Sequence, residues 1–391
     1  MNNKKICVVG LGYIGLPTSL ILCDHGFTVH GVDVNKDLIK NLENGITEIE
    51  EEGINHLLNR SIKNGLFSVS AKPKESDIYV IAVPTPFMKD YEPDLRYVKT
   101  ALKGISKLIK KNDLIIIEST IPVNTTKKMY SYLLELGLKK DSFYMSHCPE
   151  RVIPGNLLNE IVHNDRIVGG LDSVSTELTA SFYKSFVKGE VLKTDAKTAE
   201  FSKLTENAYR DVNIAFANEI DLISKNYDID TNELIRLANK HPRVSVLKPG
   251  IGVGGHCIPV DPWFIIKDNP EESKLIHQAR QVNLEKTKYT VQLIEHKISQ
   301  LSGKKIKVGF LGVTYKPNTD DIRESPALYI INKIKNKDIK KFIYDPYVKN
   351  ISVFKFTSLE YLLNNCDIIF QLVDHKQFFE IDNSKYNIIK F

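Results

Sequence analysis

The five cysteines of this chain, Cys7, Cys23, Cys148, Cys257 and Cys366, are odd in number, far apart and never in a C-x-x-C pair. That pattern excludes a disulfide framework, gives no zinc site and fits a reducing, cytoplasmic setting. Nor does any apolar run approach the ~18 residues needed to span a membrane. The basic start Met1-Asn2-Asn3-Lys4-Lys5 imitates a secretion signal, but Gly10 and Gly12 break the apolar run behind it at once, so no leader is read there. A basic block is missing as well. The net charge is +5, yet the lysines come as scattered pairs such as Lys110-Lys111, Lys139-Lys140 and Lys340-Lys341. Scattered pairs are solvated faces, so no nucleic-acid partner is expected. What is present is an ordinary globular composition, 42% hydrophobic and 26% charged over 391 residues, enough for two or three domains.

Residues 5–9 read as a short buried strand, and Gly10-Leu11-Gly12-Tyr13-Ile14-Gly15 follows immediately. Residues 16–25 read as a helix with Pro17 in its first turn, where proline is tolerated. Residues 28–32 read as a second strand that ends on Asp33. Strand, G-x-G-x-x-G, helix, strand and acid stand in the order a dinucleotide site requires. The glycines permit a tight turn and let a pyrophosphate sit at the helix N-terminus, and the acid accepts hydrogen bonds from ribose hydroxyls. A carboxylate there repels a 2′-phosphate, which favours NAD over NADP. Another adenosine ligand such as a flavin is the alternative. Two further strands, 77–83 and 114–117, run into Pro84-Thr85-Pro86 and Glu118-Ser119-Thr120. Thr85 and Thr120 are candidate site hydroxyls, or turn residues that bond their own backbone. A strand at 143–146 delivers His147-Cys148-Pro149-Glu150-Arg151. Glu150 is a candidate general base, and Cys148 is assigned to the core.

Residues 194–224 read as one long helix, with Leu204, Ala208, Val212, Ala215 and Ile220 near helical spacing. Lys203 and Asn207 lie one turn apart and share a face, which presents an amine beside an amide or is simply a surface pair. An unbroken helix of this length can act as a spine between domains and as a dimer interface. A shorter helix is read at 232–239. Beyond it, the stretch from Pro249 to Pro262 packs four glycines into six residues, then Cys257, then Asp261. The glycine density frees the backbone for left-handed conformations and close approach. By itself the stretch reads equally as a displayed nucleophile and as a tight turn over a buried cysteine. As a metal cage, His256, Cys257 and Asp261 on one loop are poor.

Residues 301–305 read as a hinge. Strands at 306–311, 341–344, 367–372 and 387–391, with a helix at 327–335, repeat a βαβ rhythm without a second G-x-G-x-x-G. Lys316 and Arg323, after the first of these strands, either clasp a diphosphate or neutralise Asp320, Asp321 and Glu324. The fold class expected is α/β, two Rossmann-like domains joined by a long central helix. The expected domains are residues 1–193 with the dinucleotide motif, 194–300 with the long helix and the glycine loop, and 301–391 as the second Rossmann-like domain.

Eight ordered stretches carry a resemblance. They are Gly10 to Pro17, Ala82-Val83-Pro84-Thr85-Pro86-Phe87, Cys148-Pro149-Glu150-Arg151-Val152 and Asn164-Asp165-Arg166, then Leu204-Thr205-Glu206-Asn207, His241-Pro242-Arg243-Val244, Gly252 to Phe264, and Lys316-Pro317-Asn318 with Arg323-Glu324-Ser325-Pro326. Along nearly its whole length the chain resembles the UDP-glucose/GDP-mannose dehydrogenase family. The resemblance implies a four-electron oxidation of a UDP-sugar C6 alcohol to the carboxylate, using two NAD in turn, in a homodimer. It implies cofactor contacts from Gly10, Gly12, Tyr13, Ile14, Gly15, Asp33, Thr85 and Thr120. It gives Cys257 the nucleophile's place, Lys203 and Asn207 the stabilisation of the sugar oxygen, Asp261 with Thr120 the catalytic water, and Glu150 the base for thioester hydrolysis. Substrate contacts fall to Arg151, Arg243, Gly254, Tyr315, Lys316 and Arg323, with Arg243 reaching a neighbouring subunit's substrate. Val260 and Arg151 stand where UDP-glucose dehydrogenases carry a lysine and an apolar residue. Both differences point to the N-acetylamino-sugar branch, with UDP-N-acetyl-D-mannosamine expected and UDP-N-acetyl-D-glucosamine the alternative. A regulatory NAD-binding protein without catalysis would need broken site motifs, and every candidate position is filled.

Overall fold

A computed structural model of the protein describes residues 4–153, 155–301, 305–335 and 338–391. Residues 302–304 of the expected hinge lie outside them. The chain divides into two compact units, Met1–Thr205 and Glu206–Phe391.

The first unit is built on eight strands: β1 (Lys5–Val9), β2 (Thr28–Val32), β3 (Phe67–Ser70), β4 (Ile78–Ile81), β5 (Leu114–Ile117), β6 (Tyr144–His147), β7 (Arg166–Gly170) and β8 (Val191–Asp195). Their order is β3-β2-β1-β4-β5-β6-β7-β8, parallel throughout except where β7 meets β6. Helices α1 (Gly15–Asp24), α2 (Lys36–Glu43), α3 (Ile54–Lys63), α4 (Arg96–Ile105), α5 (Thr125–Glu135), α6 (Leu157–His163) and α7 (Ser173–Tyr183) connect them. Alternation along β1 assigns the two faces. Ile6 and Val8 pack with Leu20 of α1, Leu58 of α3 and Ile161 of α6, whereas Cys7 and Val9 pack with Leu102 of α4 and Leu133 of α5. Because both faces are covered, β4 and β5 are continuous apolar runs, Ile-Tyr-Val-Ile and Leu-Ile-Ile-Ile. The strand order reverses at β1, which lies between β2 and β4, and this is where such sheets open a ligand crevice.

Nothing in the sequence reading assigns elements to β7, α7 and β8. The strand β7 reads Arg-Ile-Val-Gly-Gly, poor in strand signals at both ends. Its glycines are fixed by proximity, since a Cβ on Gly169 would stand 2.2 Å from the Asp195 carbonyl and one on Gly170 2.4 Å from the Thr176 amide. The long helix α8 (Ala196–Lys225) opens two residues later than read, because Asp195 receives the amides of Lys197 and Thr198 at 2.9 and 3.1 Å and so caps it.

The second unit takes the rest of α8, then α9 (Thr231–Ala238), α10 (Asp261–Asp268) and α11 (Lys274–Ser299), before a smaller sheet. Its strands are β9 (Ile306–Leu311), β10 (Ile339–Tyr344), β11 (Ile368–Gln371) and β12 (Ile388–Lys390), in the all-parallel order β10-β9-β11-β12, with α12 (Pro326–Lys333) and α13 (Leu359–Asn365) as connections. Its core joins Ile294 and Ile298 of α11 to Phe310, Phe370 and Ile330. Two Rossmann-like sheets and a long helix that follows the first in sequence are therefore present as expected. Among the described residues no helix is long and apolar enough to cross a membrane.

Candidate active site

The first cradle lies at the carboxyl ends of β1, β2 and β4. Register pairs Val9 with both Val32 and Ile81, so Gly10, Asp33 and Ala82 emerge side by side. The three glycines do different things. Gly10 has a positive φ of 96°, and a Cβ there would stand 2.6 Å from the Ala82 carbonyl. A Cβ on Gly15 would strike the Gly10 carbonyl at 1.8 Å, while one on Gly12 would meet nothing within 4 Å. Two glycines thus fold the turn against the sheet and the third keeps open the space a pyrophosphate needs. Tyr13 and Ile14 complete the turn into α1. The Asp33 carboxylate accepts from the Leu11 amide at 2.9 Å and from the Asn35 amide at 2.9 Å, so it braces the glycine turn. These residues fit a dinucleotide. Thr85 donates to the Thr120 carbonyl at 2.6 Å, tying together the loops that follow β4 and β5.

Behind those loops lies a buried acid cluster. Glu150 is ion-paired with Arg166 at 2.5 Å, and both are almost inaccessible. The same Glu150 accepts from the Arg151 amide at 2.7 Å. The sequence reading sees Glu150 as a lone base; in the fold it is held by a guanidinium. Glu118 accepts from Tyr183 at 2.5 Å. Burial, with the nearby Glu150 carboxylate, pushes Glu118 up to about 7. Burial pushes the Cys148 thiol to about 12, as befits a core residue. Arg166 and Glu118 appear in the quoted motifs without a role, because nothing in their spacing reveals that one cation serves two carboxylates. His147 is fully buried, and burial, aided by the charge of Lys203, lowers it to about 3. Lys203 itself is fixed one turn beyond Glu200, which receives the Asn124 and Thr126 amides at 2.6 and 2.7 Å.

In the second unit Asn207 and Asp261 meet, Asn207 Nδ2 donating to Asp261 Oδ2 at 2.5 Å with both side chains buried. Asp261 is not a loop residue: it opens α10. Cys257 stands just ahead of that helix, and its carbonyl receives the Val260 and Asp261 amides at 3.0 and 2.8 Å. Its half-buried thiol lies 3.3 Å from His256 Nδ1. The glycines here are required by packing within the unit. A Cβ on Gly252 would stand 2.0 Å from Thr287 Oγ1. One on Gly254 would stand 2.6 Å from Pro326 Cδ, 2.7 Å from the Glu324 carbonyl and 2.8 Å from Tyr315 Cβ, and one on Gly255 would press on the Tyr315 ring. The loop is glycine-rich because it lies flat against α11 and the 313–326 segment.

That segment leaves the carboxyl end of β9. Burial pushes the Tyr315 phenol to about 12, with Asp321 and Cys257 adding to the shift, so Tyr315 is a neutral neighbour of the thiol. Arg323 is gripped by Asp321 at 2.6 and 2.9 Å, as the neutralisation reading has it. Lys316 lies 5.7 Å from the Tyr315 ring centroid. His375, which the sequence reading does not single out, accepts the Asn318 amide at 3.0 Å and so donates from Nε2 to Asp345 at 3.1 Å. This fully buried pair props the Lys316–Asn318 turn. Arg243 is exposed between α9 and α10. Among the described residues no three His, Cys, Asp or Glu gather to hold a metal.

The fold and the first cradle define a dinucleotide-dependent oxidoreductase. Three consecutive family models match the chain: the NAD binding, central and UDP binding domains of the UDP-glucose/GDP-mannose dehydrogenase family, at residues 4–187, 197–285 and 309–389. A UDP-N-acetyl-D-mannosamine dehydrogenase of Campylobacter jejuni is 44% identical over 98% of both chains. Among solved structures, the UDP-N-acetyl-mannosamine dehydrogenase of Staphylococcus aureus aligns with a TM-score of 0.90 at 43% identity, over 98% of this chain and 92% of the other. The UDP-D-ManNAc dehydrogenase of Pyrococcus horikoshii aligns at 0.92 and 38%, over 99% and 94%. The chain belongs to the UDP-glucose/GDP-mannose dehydrogenase family, and the cofactor its first unit takes is NAD.

Proposed function

We propose that the protein oxidises the C6 hydroxyl of UDP-N-acetyl-D-mannosamine to the uronate, for surface polysaccharide synthesis in the cytoplasm. UDP-N-acetyl-D-glucosamine is the second candidate. NAD, bound at Gly10, Gly12, Tyr13, Ile14, Gly15, Asp33, Thr85 and Thr120, supplies the hydride acceptor, once for each two-electron step. Lys203 and Asn207 stabilise the developing charge on the sugar oxygen; preorganised donors of this kind contribute ~3 kcal/mol each. The Cys257 thiolate adds to the aldehyde carbon to give a thiohemiacetal, which is oxidised to a thioester. Water held by Asp261 and Thr120 attacks the thioester, Glu150 takes its proton, and the thiolate leaves. Arg151, Gly254, Tyr315, Lys316 and Arg323 are the proposed substrate contacts. The observation that carries the four-electron reading is the half-buried cysteine at the head of α10, beside the buried Asn207–Asp261 pair. The choice of sugar rests on the relatives.

The division into residues 1–193, 194–300 and 301–391 and the homodimer belong to the same proposal. Tyr209, Phe216 and Ile223 recur every seven residues along α8 and are 69, 53 and 44% exposed. Seven residues are two turns, so they share one face, and a second copy would cover it. Arg243 then reaches the neighbouring subunit's substrate. Incubation with NAD and each purified UDP-sugar tests the reading. UDP-N-acetyl-D-mannosamine is expected to yield two NADH per sugar, and a yield of one NADH with accumulating aldehyde would overturn it.

A further inference from the structure

The glycine loop and α8 are tied by a buried chain of hydrogen bonds that the proposed chemistry does not use. Arg280 on α11 donates to Asp211 Oδ1 at 2.5 Å. Asn283, one turn along, donates from Nδ2 to the same oxygen at 2.8 Å and to the Asp211 carbonyl at 3.1 Å. Asn283 Oδ1 accepts from Asn218 Nδ2 at 2.9 Å, and Asn218 Oδ1 accepts from the Gly250 amide at 2.9 Å. All four side chains are at most 1% exposed. The orientation of both carboxamides is dictated from the ends, since a carboxylate only accepts and a backbone N–H only donates. A single arrangement satisfies every link between Asp211 and Gly250, while Asp211 Oδ2 and Arg280 Nε find no partner among the described residues.

The chain ends at the root of the loop that carries Cys257. The other end of that loop is pinned by Asn207 to Asp261. Asn207 and Asn218 lie eleven residues apart on α8, three turns, hence on one face and about 16 Å apart. The loop from Gly250 to Asp261 is equally long in residues but reaches roughly twice that distance when extended. It therefore has slack, and its two held ends act together with the Gly255 amide bonded to the Arg323 carbonyl at 3.0 Å, the amides on the Cys257 carbonyl and the contacts of Gly252, Gly254 and Gly255 to decide where Cys257 stands. We infer that Asn218, oriented by Asn283 and Asp211, is a positioning residue that sets the place of Cys257 by holding the Gly250 amide.

This rests on Cys257 being the nucleophile, so Cys257→Ala is assayed alongside. In the full-length enzyme, Asn218→Ala is expected to lower kcat about 10- to 100-fold with the KM for NAD unchanged. It is also expected to move the pH profile of Cys257 alkylation by iodoacetamide, while thermal unfolding still reports a folded protein. A purely structural residue would lower the Tm and leave kcat per folded molecule and the alkylation profile alone. Asn218→Asp gives a second, independent answer. It keeps an oxygen for Gly250, but it donates to Asn283 Oδ1 only when protonated. Its kcat relative to wild type should therefore rise as pH falls, the ratio cancelling the titration of Asp211 beside the fixed charge of Arg280. Wild-type kcat and alkylation profile in Asn218→Ala, or a pH-independent ratio in Asn218→Asp, would overturn the inference. If Cys257→Ala keeps full turnover, the nucleophile reading fails, and the alkylation profile alone still decides whether Asn218 positions that thiol.

Discussion

Adding one methyl group at Gly254 is expected to damage catalysis more than folding. Its φ is not in the left-handed region, so alanine brings no backbone strain there; the difficulty is space. The new Cβ would lie 2.6 Å from Pro326 Cδ, 2.7 Å from the Glu324 carbonyl and 2.8 Å from Tyr315 Cβ. None of these is the far end of a flexible side chain. Reaching ordinary contact at about 3.5 Å requires the loop to retreat by roughly 0.7–0.9 Å. Overpacking of this kind costs about 2 kcal/mol, which for a unit of this size is roughly 4–8 °C in Tm. Cys257 is three residues on, and a misplacement near 1 Å costs about 10²-fold in rate, or about 2.7 kcal/mol of barrier. Gly250→Ala is the control, because its Cβ finds only the Gly252 carbonyl at 4.0 Å and the amide bonded to Asn218 survives. NADH formation at saturating NAD and UDP-sugar, with thermal unfolding of both variants, measures the contrast. A Gly254→Ala enzyme with wild-type kcat, or a Gly250→Ala enzyme equally impaired, would refute the reasoning.

The first glycine motif gives a parallel contrast. Gly12→Ala should fold normally and raise the KM for NAD, whereas Gly15→Ala, with its Cβ 1.8 Å from the Gly10 carbonyl, should lose stability outright. Unchanged NAD binding in Gly12→Ala would contradict the assignment of that open space. His147 sets an acid limit. Its imidazole is held from 6.5 down to about 3 by burial and Lys203, so the unfolded chain binds a proton that the folded one refuses. Its stability contribution is complete above pH 6.5 and is lost as pH falls, by about 2 kcal/mol at pH 5 and up to about 5 kcal/mol near pH 3. In His147→Leu the stability difference between pH 7 and pH 5, read by denaturant titration, should shrink by about 2 kcal/mol. Identical pH slopes in the two proteins would dispose of the idea.

The strands that carry the cradles were legible because they are short apolar runs closed by glycine, as β1 and β9 are, or by an acidic residue, as β2 and β5 are: all four match the reading residue for residue. Cofactor type was legible for the same reason, since turn, helix and Asp33 are contiguous. The segment from β7 to β8 was not, because Gly169 and Gly170 answer to neighbours far along the chain. The purpose of the second glycine cluster was hidden likewise. Four glycines announce close approach, but only the fold reveals that the approach is to Thr287, Pro326 and Tyr315. Buried polar partnerships were least legible of all. Arg166 with Glu150, Asp211 with Arg280 and Asn283, and His375 with Asp345 each join residues from 16 to 72 positions apart, and no local spacing predicts which charge finds which partner.

The central claim is that Cys257 carries the second oxidation. Its most direct measurement is the NADH yield and uronate formed per UDP-N-acetyl-D-mannosamine by wild type and by Cys257→Ala. The account predicts two NADH and stoichiometric uronate without free aldehyde for wild type, and no uronate from the alanine variant. Two NADH and uronate from Cys257→Ala would contradict it.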